Sequence, residues 1–364
     1  MSIPAMTIEV LPAAYGDCLL IQCPVGKRTW RMLVDTGPGE TYPALKARLA
    51  ELPVDAKGQR RIDIFVVTHI DHDHIGGAGL LLNDKSLALS IGDIWFNAPP
   101  RHLARGVAEG EALAGLLGTS RSPLPWNVAF GGKAAVTPGD GGFLELRTAR
   151  GAPRITLLSP SPDRLIDLFK VWDAELAQPR RKESTKDLTP EVLTRGAEAL
   201  DIPALAQRVT PTDRSAPNGS AIALLVEHRG ASVLLGADAF PTVLGPALTG
   251  LARHRKQVGP IKVDAFKLSH HGSRANLTAE LLSAVQASHY VFSTNNAIFN
   301  HPDDEAVARV LVHGGSRATL WFNYPTLRNR RWSDESLQRK FGFSAVYPQS
   351  DSSGVTLKLE QRRT

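Results

Sequence analysis

Cysteine is almost missing from this chain: of 364 residues only Cys18 and Cys23 carry a thiol. The two fall five positions apart on what reads as one strand. An odd separation turns their side chains to opposite faces, and extended backbone holds them further apart than the roughly 4.4–6.8 Å between Cα atoms that a disulfide spans. A disulfide scaffold is excluded, and a reduced, cytoplasmic protein is expected. Also missing is any uninterrupted apolar run of the roughly 18–20 residues that cross a bilayer, so no membrane span is expected. Residues 1–7 have neither the basic start nor the apolar core of a signal peptide. No repeat of fixed period is visible. Acid is in deficit, with 36 Asp and Glu against 42 Lys and Arg. The formal charge of +6 favours acidic partners such as phosphates or nucleic acid. A hydrophobic fraction of 43% with 21% charged residues describes a globular chain rather than a disordered one.

What is present is a dense ligand loop. Residues 68–77 read Thr-His-Ile-Asp-His-Asp-His-Ile-Gly-Gly, directly after the apolar run 62–67, in which Asp63 is the one charge. Three imidazoles and two carboxylates within six residues go unsatisfied if buried without a partner, so a metal is the natural occupant.

The surrounding pattern is that of a layered α/β fold. Strands are predicted at 7–11, 18–23 and 30–35, a helix at 42–52, and a strand at 62–67 that leads into the ligand loop. Strand, helix, strand and polar loop is the order in which functional loops sit at strand ends. A helix then starts at 78–82, and 93–96 is a strand. Residues 99–215 are less regular, with helices expected at 106–117, 162–176 and 190–209, a strand pair at 143–148 and 155–158, and a mixed-charge run at 180–187. This reads as a partly helical insertion, a lid or a surface for a protein partner. Beyond it, 221–227 and 232–235 form a hairpin turning at His228-Arg229-Gly230 and ending in Gly236-Ala237-Asp238. Strand 263–268 runs into Ser269-His270-His271-Gly272-Ser273, followed by a helix at 277–285, a strand at 289–293, a helix at 303–312, and strands at 318–322 and 354–359. Residues 326–364 are a C-terminal extension with a final strand.

Four strand ends thus offer acidic or imidazole groups: Asp35, the 69–74 cluster, Asp238 and the His270-His271 pair. Their succession argues for one shared site, in which Asp238 is suited to bridge two ions. A bridged pair of ions can hold a hydroxide for attack at phosphorus or a carbonyl carbon.

These motifs resemble the metallo-β-lactamase fold superfamily, whose usual signature is His-x-His-x-Asp-His after a buried strand. Here the run is His69-Ile70-Asp71-His72-Asp73-His74, an His-x-Asp-x-Asp-His variant similar to the ComEC/Rec2-like branch. Gly16-Asp17, Asp35-Thr36-Gly37, Asn218-Gly219-Ser220, Gly236-Ala237-Asp238, 267–273 and Asn296 with His301-Pro302 follow in that branch's order, over roughly 6–100 and 215–325. The resemblance implies one domain, an αββα sandwich with 99–215 inserted. It implies two divalent ions, zinc or manganese, held by His69, Asp71, Asp73, His74, Asp238 and one of His270 and His271, with His271 preferred for its following glycine. Asp73, His270 and His301 are the implied catalytic groups, the histidine that is not a ligand contacting phosphate or protonating a leaving group. Ser273, Arg274 and Asn296 are candidates for the substrate, with a helix cap and a surface arginine reading equally well for the first two. Asp17, Asp35 and Asn218 are expected to orient ligands. The chain departs from the superfamily by having no histidine between His102 and His228, where a middle ligand is usual, so Asn218 or water is expected to fill in. The implied activity is metal-dependent hydrolysis, by a phosphodiesterase or nuclease. The other reading, motivated by the missing histidine, is an interaction or regulatory subunit with a degraded metal site. The segment 317–340 interleaves Arg328, Arg330 and Arg331 with Trp321, Tyr324 and Trp332, which reads as a strand edge and solvated loop in preference to a nucleic-acid path.

Overall fold

The computed structural model describes residues 3–99, 108–118, 124–139, 141–146, 149–176 and 200–362. The run 180–187 and the first part of the helix expected at 190–209 lie outside the described residues; of that helix Ile202–Gln207 is described.

The described strands are, in chain order, β1 (Met6–Val10), β2 (Leu19–Val25), β3 (Arg28–Val34), β4 (Arg60–Ile62), β5 (Ile64–Val66), β6 (Leu89–Ile91), β7 (Ile94–Trp95) and β8 (Leu144–Leu146). They continue with β9 (Arg154–Ser159), β10 (Ala223–His228), β11 (Ala231–Leu235), β12 (Ile261–Lys267), β13 (Val285–Phe292), β14 (Thr319–Phe322), β15 (Ser344–Val346) and β16 (Val355–Leu359). One sheet has the order β16-β1-β2-β3-β5-β7 and the other β15-β14-β13-β12-β11-β10-β9-β8, while β4 and β6 form a separate pair. Within the larger sheet β11 through β15 run parallel, so their carboxyl ends, like those of the parallel pair β3 and β5, open at one edge of the layers.

Alternation along the strands builds three layers of core. Leu19, Ile21 and Cys23 of β2, Met32 and Val34 of β3, Leu224 and Val226 of β10, and Val233 and Leu235 of β11 fill the space between the sheets. The intervening residues point outward. Leu20 and Leu33 pack with Leu45, Leu49, Leu165, Leu168 and Trp172 from helices Tyr42–Ala50 and Pro162–Leu176. On the far side Leu225 and Leu234 meet Leu244, Leu248 and Leu251 of helix Pro241–His254 and Val307 and Val310 of helix Asp304–His313. The protein is therefore the expected α/β sandwich of two sheets between helices. The thiols follow the strand alternation, Cys23 between the sheets and Cys18 under the outer helices, both free and buried.

The segment 99–215 is not set apart from the sandwich where it is described. β8 and β9 are the last two strands at one end of the larger sheet, Pro162–Leu176 covers the smaller one, and Ile202–Gln207 packs on Asp304–His313. In the C-terminal extension β16 pairs antiparallel with β1, and β15 pairs parallel with β14. Helix Pro241–His254 has no counterpart in the sequence reading. Gly245, Pro246 and Gly250 interrupt its propensity, and burial of Leu244, Leu248 and Leu251 at helical spacing overrides them.

Candidate metal centre

The candidate ligands arrive on the loops that leave β3, β5, β11 and β12 at their carboxyl ends. Asp35 follows β3 in the left-handed region (φ 57°), and its carboxylate accepts the Thr68 N–H at 2.7 Å and the Thr68 hydroxyl at 2.8 Å. That pins the 68–74 loop to the neighbouring strand end. The close approach of residue 16 pins it from the other side, since a Cβ there would lie 1.9 Å from the Asp73 carbonyl oxygen.

Each of four imidazoles is tied through Nδ1. His74 Nδ1 is 2.8 Å from Asp35 Oδ2, His69 Nδ1 is 2.9 Å from Thr68 Oγ1, and His271 Nδ1 is 2.9 Å from the Ser293 carbonyl and 3.2 Å from Asp17 Oδ1. His270 Nδ1 is 2.9 Å from Asn276 Oδ1 and 3.3 Å from Asp213 Oδ2. The opposite nitrogens face one another's carboxylates. Asp238 divides its oxygens, Oδ1 lying 3.4 Å from His74 Nε2 and Oδ2 lying 3.8 Å from His69 Nε2 and 3.7 Å from His270 Nε2. Asp73 Oδ2 is 3.2 Å from His271 Nε2 and 3.9 Å from His74 Nε2. Asp71, with 38% of its side chain exposed, stands at the mouth, 3.6 Å from His69 Nε2.

Among the described residues His69, His74 and Asp238 offer ligand atoms within 4.8 Å of one another, as do Asp17, His74 and His271. Asp17 belongs behind the site rather than in it. Its Oδ2 accepts from Lys267 Nζ at 2.6 Å, and its Oδ1 faces the Nδ1 edge of His271, so Asp73 is the carboxylate on the inward Nε2 edge. The donor set fits a divalent cation. His69 Nε2, His74 Nε2 and Asp238 Oδ1 are buried without a hydrogen-bond partner, and leaving such atoms unpaired costs about 1–3 kcal/mol each. Mixed imidazole and carboxylate donors suit zinc or manganese.

The electrostatics point the same way. Burial alone lowers the His74 pKa, but Asp238, Asp73 and Asp35 outweigh it and raise the pKa well above the usual value. Burial likewise opposes the charge on Asp238, yet His74, His270 and His271 hold its carboxyl well below the ordinary range. His271, against the pull of burial, is raised to about 9 by Asp17 and Asp238. The carboxylates thus create a potential that favours positive charge at this spot.

Other sequence-selected residues lie further out. His301 has its ring centroid 5.2 Å from that of His270 and its Nδ1 3.4 Å from Asp303, and burial lowers its pKa. Asn218 donates to Asp213 at 2.8 Å and keeps a buried, unpartnered Oδ1. Ser273 donates its N–H to the His270 carbonyl and accepts the Ala275 N–H, which makes it part of the loop's own turn. Arg274 is turned to Glu305 at 3.4 Å, and Asn296 spends its side chain on the His301 carbonyl and the Thr326 hydroxyl, so neither joins the ligand cluster. His72 points outward to Glu109 and Glu40. Sequence reasoning gave no role to Asp213, Asn276, Lys267 or Thr68. Asp213 sits in a Thr-Pro-Thr-Asp-Arg loop with no signature, and nothing in its neighbours marks it as facing His270.

Residues 12–159 match the metallo-beta-lactamase superfamily. That stretch holds Asp17, Asp35 and the 69–74 loop, while Asp238 and His271 lie beyond it and are brought in by the second sheet. Over 96% of its length the chain is 21% identical to ComE operon protein 3 of Bacillus subtilis (strain 168). It covers 35% of that protein and so spans about a third of this curated relative's length. Among solved structures, a mutant CmlA beta-hydroxylase aligns with a TM-score of 0.38 at 15% identity, over 99% of this chain and 55% of that one. A diphosphatase from the PhnP family aligns with a TM-score of 0.40 at 11% identity, over 98% of each chain. The chain thus matches the metallo-beta-lactamase superfamily over residues 12–159 and has weak homology to ComE operon protein 3, and among the described residues no helix is long and apolar enough to cross a membrane.

Proposed function

We propose that the protein is a metal-dependent hydrolase of phosphodiesters, a phosphodiesterase or nuclease. The observation that carries the reading is the convergence of buried, unpartnered His69 Nε2, His74 Nε2 and Asp238 Oδ1 beside a second inward pair, Asp73 Oδ2 and His271 Nε2. His69, Asp71 and Asp238 would hold one divalent ion, and Asp73, His74, Asp238 and His271 a second, zinc or manganese in each case. Such ions, when bound, supply Lewis acidity and offset the charge that develops on a phosphoryl group.

The chain's own residues do the rest. Asn276 and Asp213 fix Nδ1 of His270, which leaves Nε2 as the edge presented to the site. From there it donates to a phosphoryl oxygen or passes a proton to the leaving oxygen. The His301 ring meets it edge to face, at an interplanar angle of 72°. Burial lowers the His270 pKa, but Asp238 and Asp213 outweigh it and raise the pKa, and a donor imidazole on an open edge suits an anionic phosphodiester better than a neutral lactam. The intact, oriented set of inward nitrogens also supports a hydrolase over an interaction subunit with a degraded centre.

Asp73→Ala tests the reading. It is expected to abolish turnover of bis-nitrophenyl phosphate and to lower bound metal, with circular dichroism unchanged; undiminished turnover refutes it. A screen of zinc and manganese against single-stranded DNA, duplex DNA, RNA and cyclic nucleotides then assigns the substrate. Fewer than one ion per chain in protein purified without chelator would favour the interaction subunit.

A further inference from the structure

The end of the sandwich away from the metal centre carries a second charged feature. The turns that begin the site-bearing strands surround an open cleft of about 880 Å³, lined by Arg150, Arg154, Arg229, Lys262 and Arg362. β12 links the two ends, from Lys262 in the cleft to Lys267 behind the metal ligands, a run of about 17 Å at the usual strand rise.

The carboxylates here are already spent. Glu227 takes a two-armed contact from Arg255 at 2.7 and 2.9 Å, and Asp264 accepts from Arg362 and from the N–H and hydroxyl of Ser232. Among the described residues Arg150, Arg154, Arg229 and Lys262 are exposed and form no ion pair. Like charges gathered around a concavity repel one another, and an anion from outside relieves that repulsion.

We propose that this cleft binds the phosphodiester backbone of a nucleic-acid strand. Three features select that ligand. The cations come from separate chain segments around a space much larger than one phosphate, which suits a row of phosphates. No Phe, Tyr or Trp lines the cleft, so it offers contacts to backbone and none for base stacking. It is concave and without exposed apolar anchors, unlike a face that docks on a lipid surface. The proposal needs no hydrolysis and stands apart from the function proposed above.

The test measures binding of labelled single-stranded and duplex oligonucleotides to the full chain by fluorescence anisotropy, in chelator so that nothing is cut, across a salt series. With four to five phosphate contacts, log K is expected to fall with log salt at a slope of about −4 on duplex. The double variant Arg154→Glu, Arg229→Glu is expected to weaken binding at least about tenfold and to reduce the slope by about two. Its metal content and its turnover of a small diester are expected to match the parent. Arg339→Glu, on an exposed helix elsewhere, is expected to leave binding unchanged. The proposal is overturned if the double variant keeps the parent's slope, or if Arg339→Glu weakens binding equally, which marks a net-charge effect. Retention by phosphatidylserine vesicles without binding to either oligonucleotide overturns it as well.

Discussion

Lys267→Met isolates the structural support of the metal centre. Lys267 Nζ donates to Asp17 Oδ2 at 2.6 Å and to the Leu268 carbonyl at 3.0 Å, with 2% and 1% of the two charged side chains exposed. Burial opposes ionisation of Asp17, but Lys267 and His271 hold its carboxyl well below the ordinary range. Methionine keeps most of the lysine's length and leaves the carboxylate buried beside an apolar side chain. Removing one partner of a buried pair costs about 3–5 kcal/mol, since the other charge is left uncompensated. Unfolding entropy near 60 °C is about 2.1 cal/mol/K per residue, which for a chain of this length gives about 0.76 kcal/mol/K and a fall in thermal midpoint of about 4–7 °C. The assay is calorimetry in chelator, so that metal affinity does not enter. The double variant Asp17→Asn, Lys267→Met removes the stranded charge and is expected to lie within about 1–2 kcal/mol of the parent, because replacing both members of a buried pair is often close to neutral. A midpoint for Lys267→Met within about 1 °C of the parent would show that the pair is solvated in practice. A double variant no more stable than the single would show that packing, not charge, is what the lysine contributes.

Gly16→Ala is expected to displace the Asp73 backbone, since the new Cβ would lie 1.9 Å from its carbonyl oxygen. Relief of that clash is expected to cost about 1–3 kcal/mol of stability and to weaken metal binding about 10–100-fold in a chelator competition titration; unchanged metal affinity would mean the loop does not depend on this contact. His289 gives a pH signature far from the centre. Burial lowers its pKa, and its Nδ1 accepts the Trp321 indole N–H at 3.2 Å, so the folded state favours the neutral ring. With the folded pKa below the unfolded value of 6.5, the ring's contribution to stability is complete above that pH and is lost as pH falls through the lower folded value. Urea unfolding across that window is expected to show a loss on acidification that His289→Asn reduces.

Where local pattern and tertiary packing agree, the fold was legible. The hairpin turning at Arg229-Gly230 is there, with φ of 50° and 81° at those two residues, and the expected helix 162–176 is Pro162–Leu176. Legibility fails where packing overrides a local signal. The strand expected at 62–67 is two, divided at Asp63, whose carboxylate accepts the Arg31 N–H at 3.0 Å and pairs with Arg28. The strand expected from His289 begins at Val285, because Gln286, Ser288 and His289 lie in a partly exposed stretch and hide its apolar alternation. Helix Pro241–His254 went unread because glycine and proline at 245 and 246 speak against a helix that the second sheet's apolar face requires.

The site divides along the same line. The 69–74 cluster is dense enough to announce itself, and Asp35, Asp238 and the 270–271 pair each end a recognisable strand. What no one-dimensional pattern carries is which edge of a ring faces inward, because that is set by partners remote in sequence: Asp35 for His74, Ser293 for His271, Asp213 and Asn276 for His270. The two adjacent histidines show the consequence. Both take left-handed backbone, with φ of 49° and 54°, which swings their rings apart to centroids 6.0 Å distant. His271 thereby reaches Asp73 in the buried floor, while His270 keeps 20% of its side chain exposed and meets Asp238 from the open side. The loop bearing Asp213 holds His270 on that open side of Asp238, a placement for which the linear pattern gives no signal.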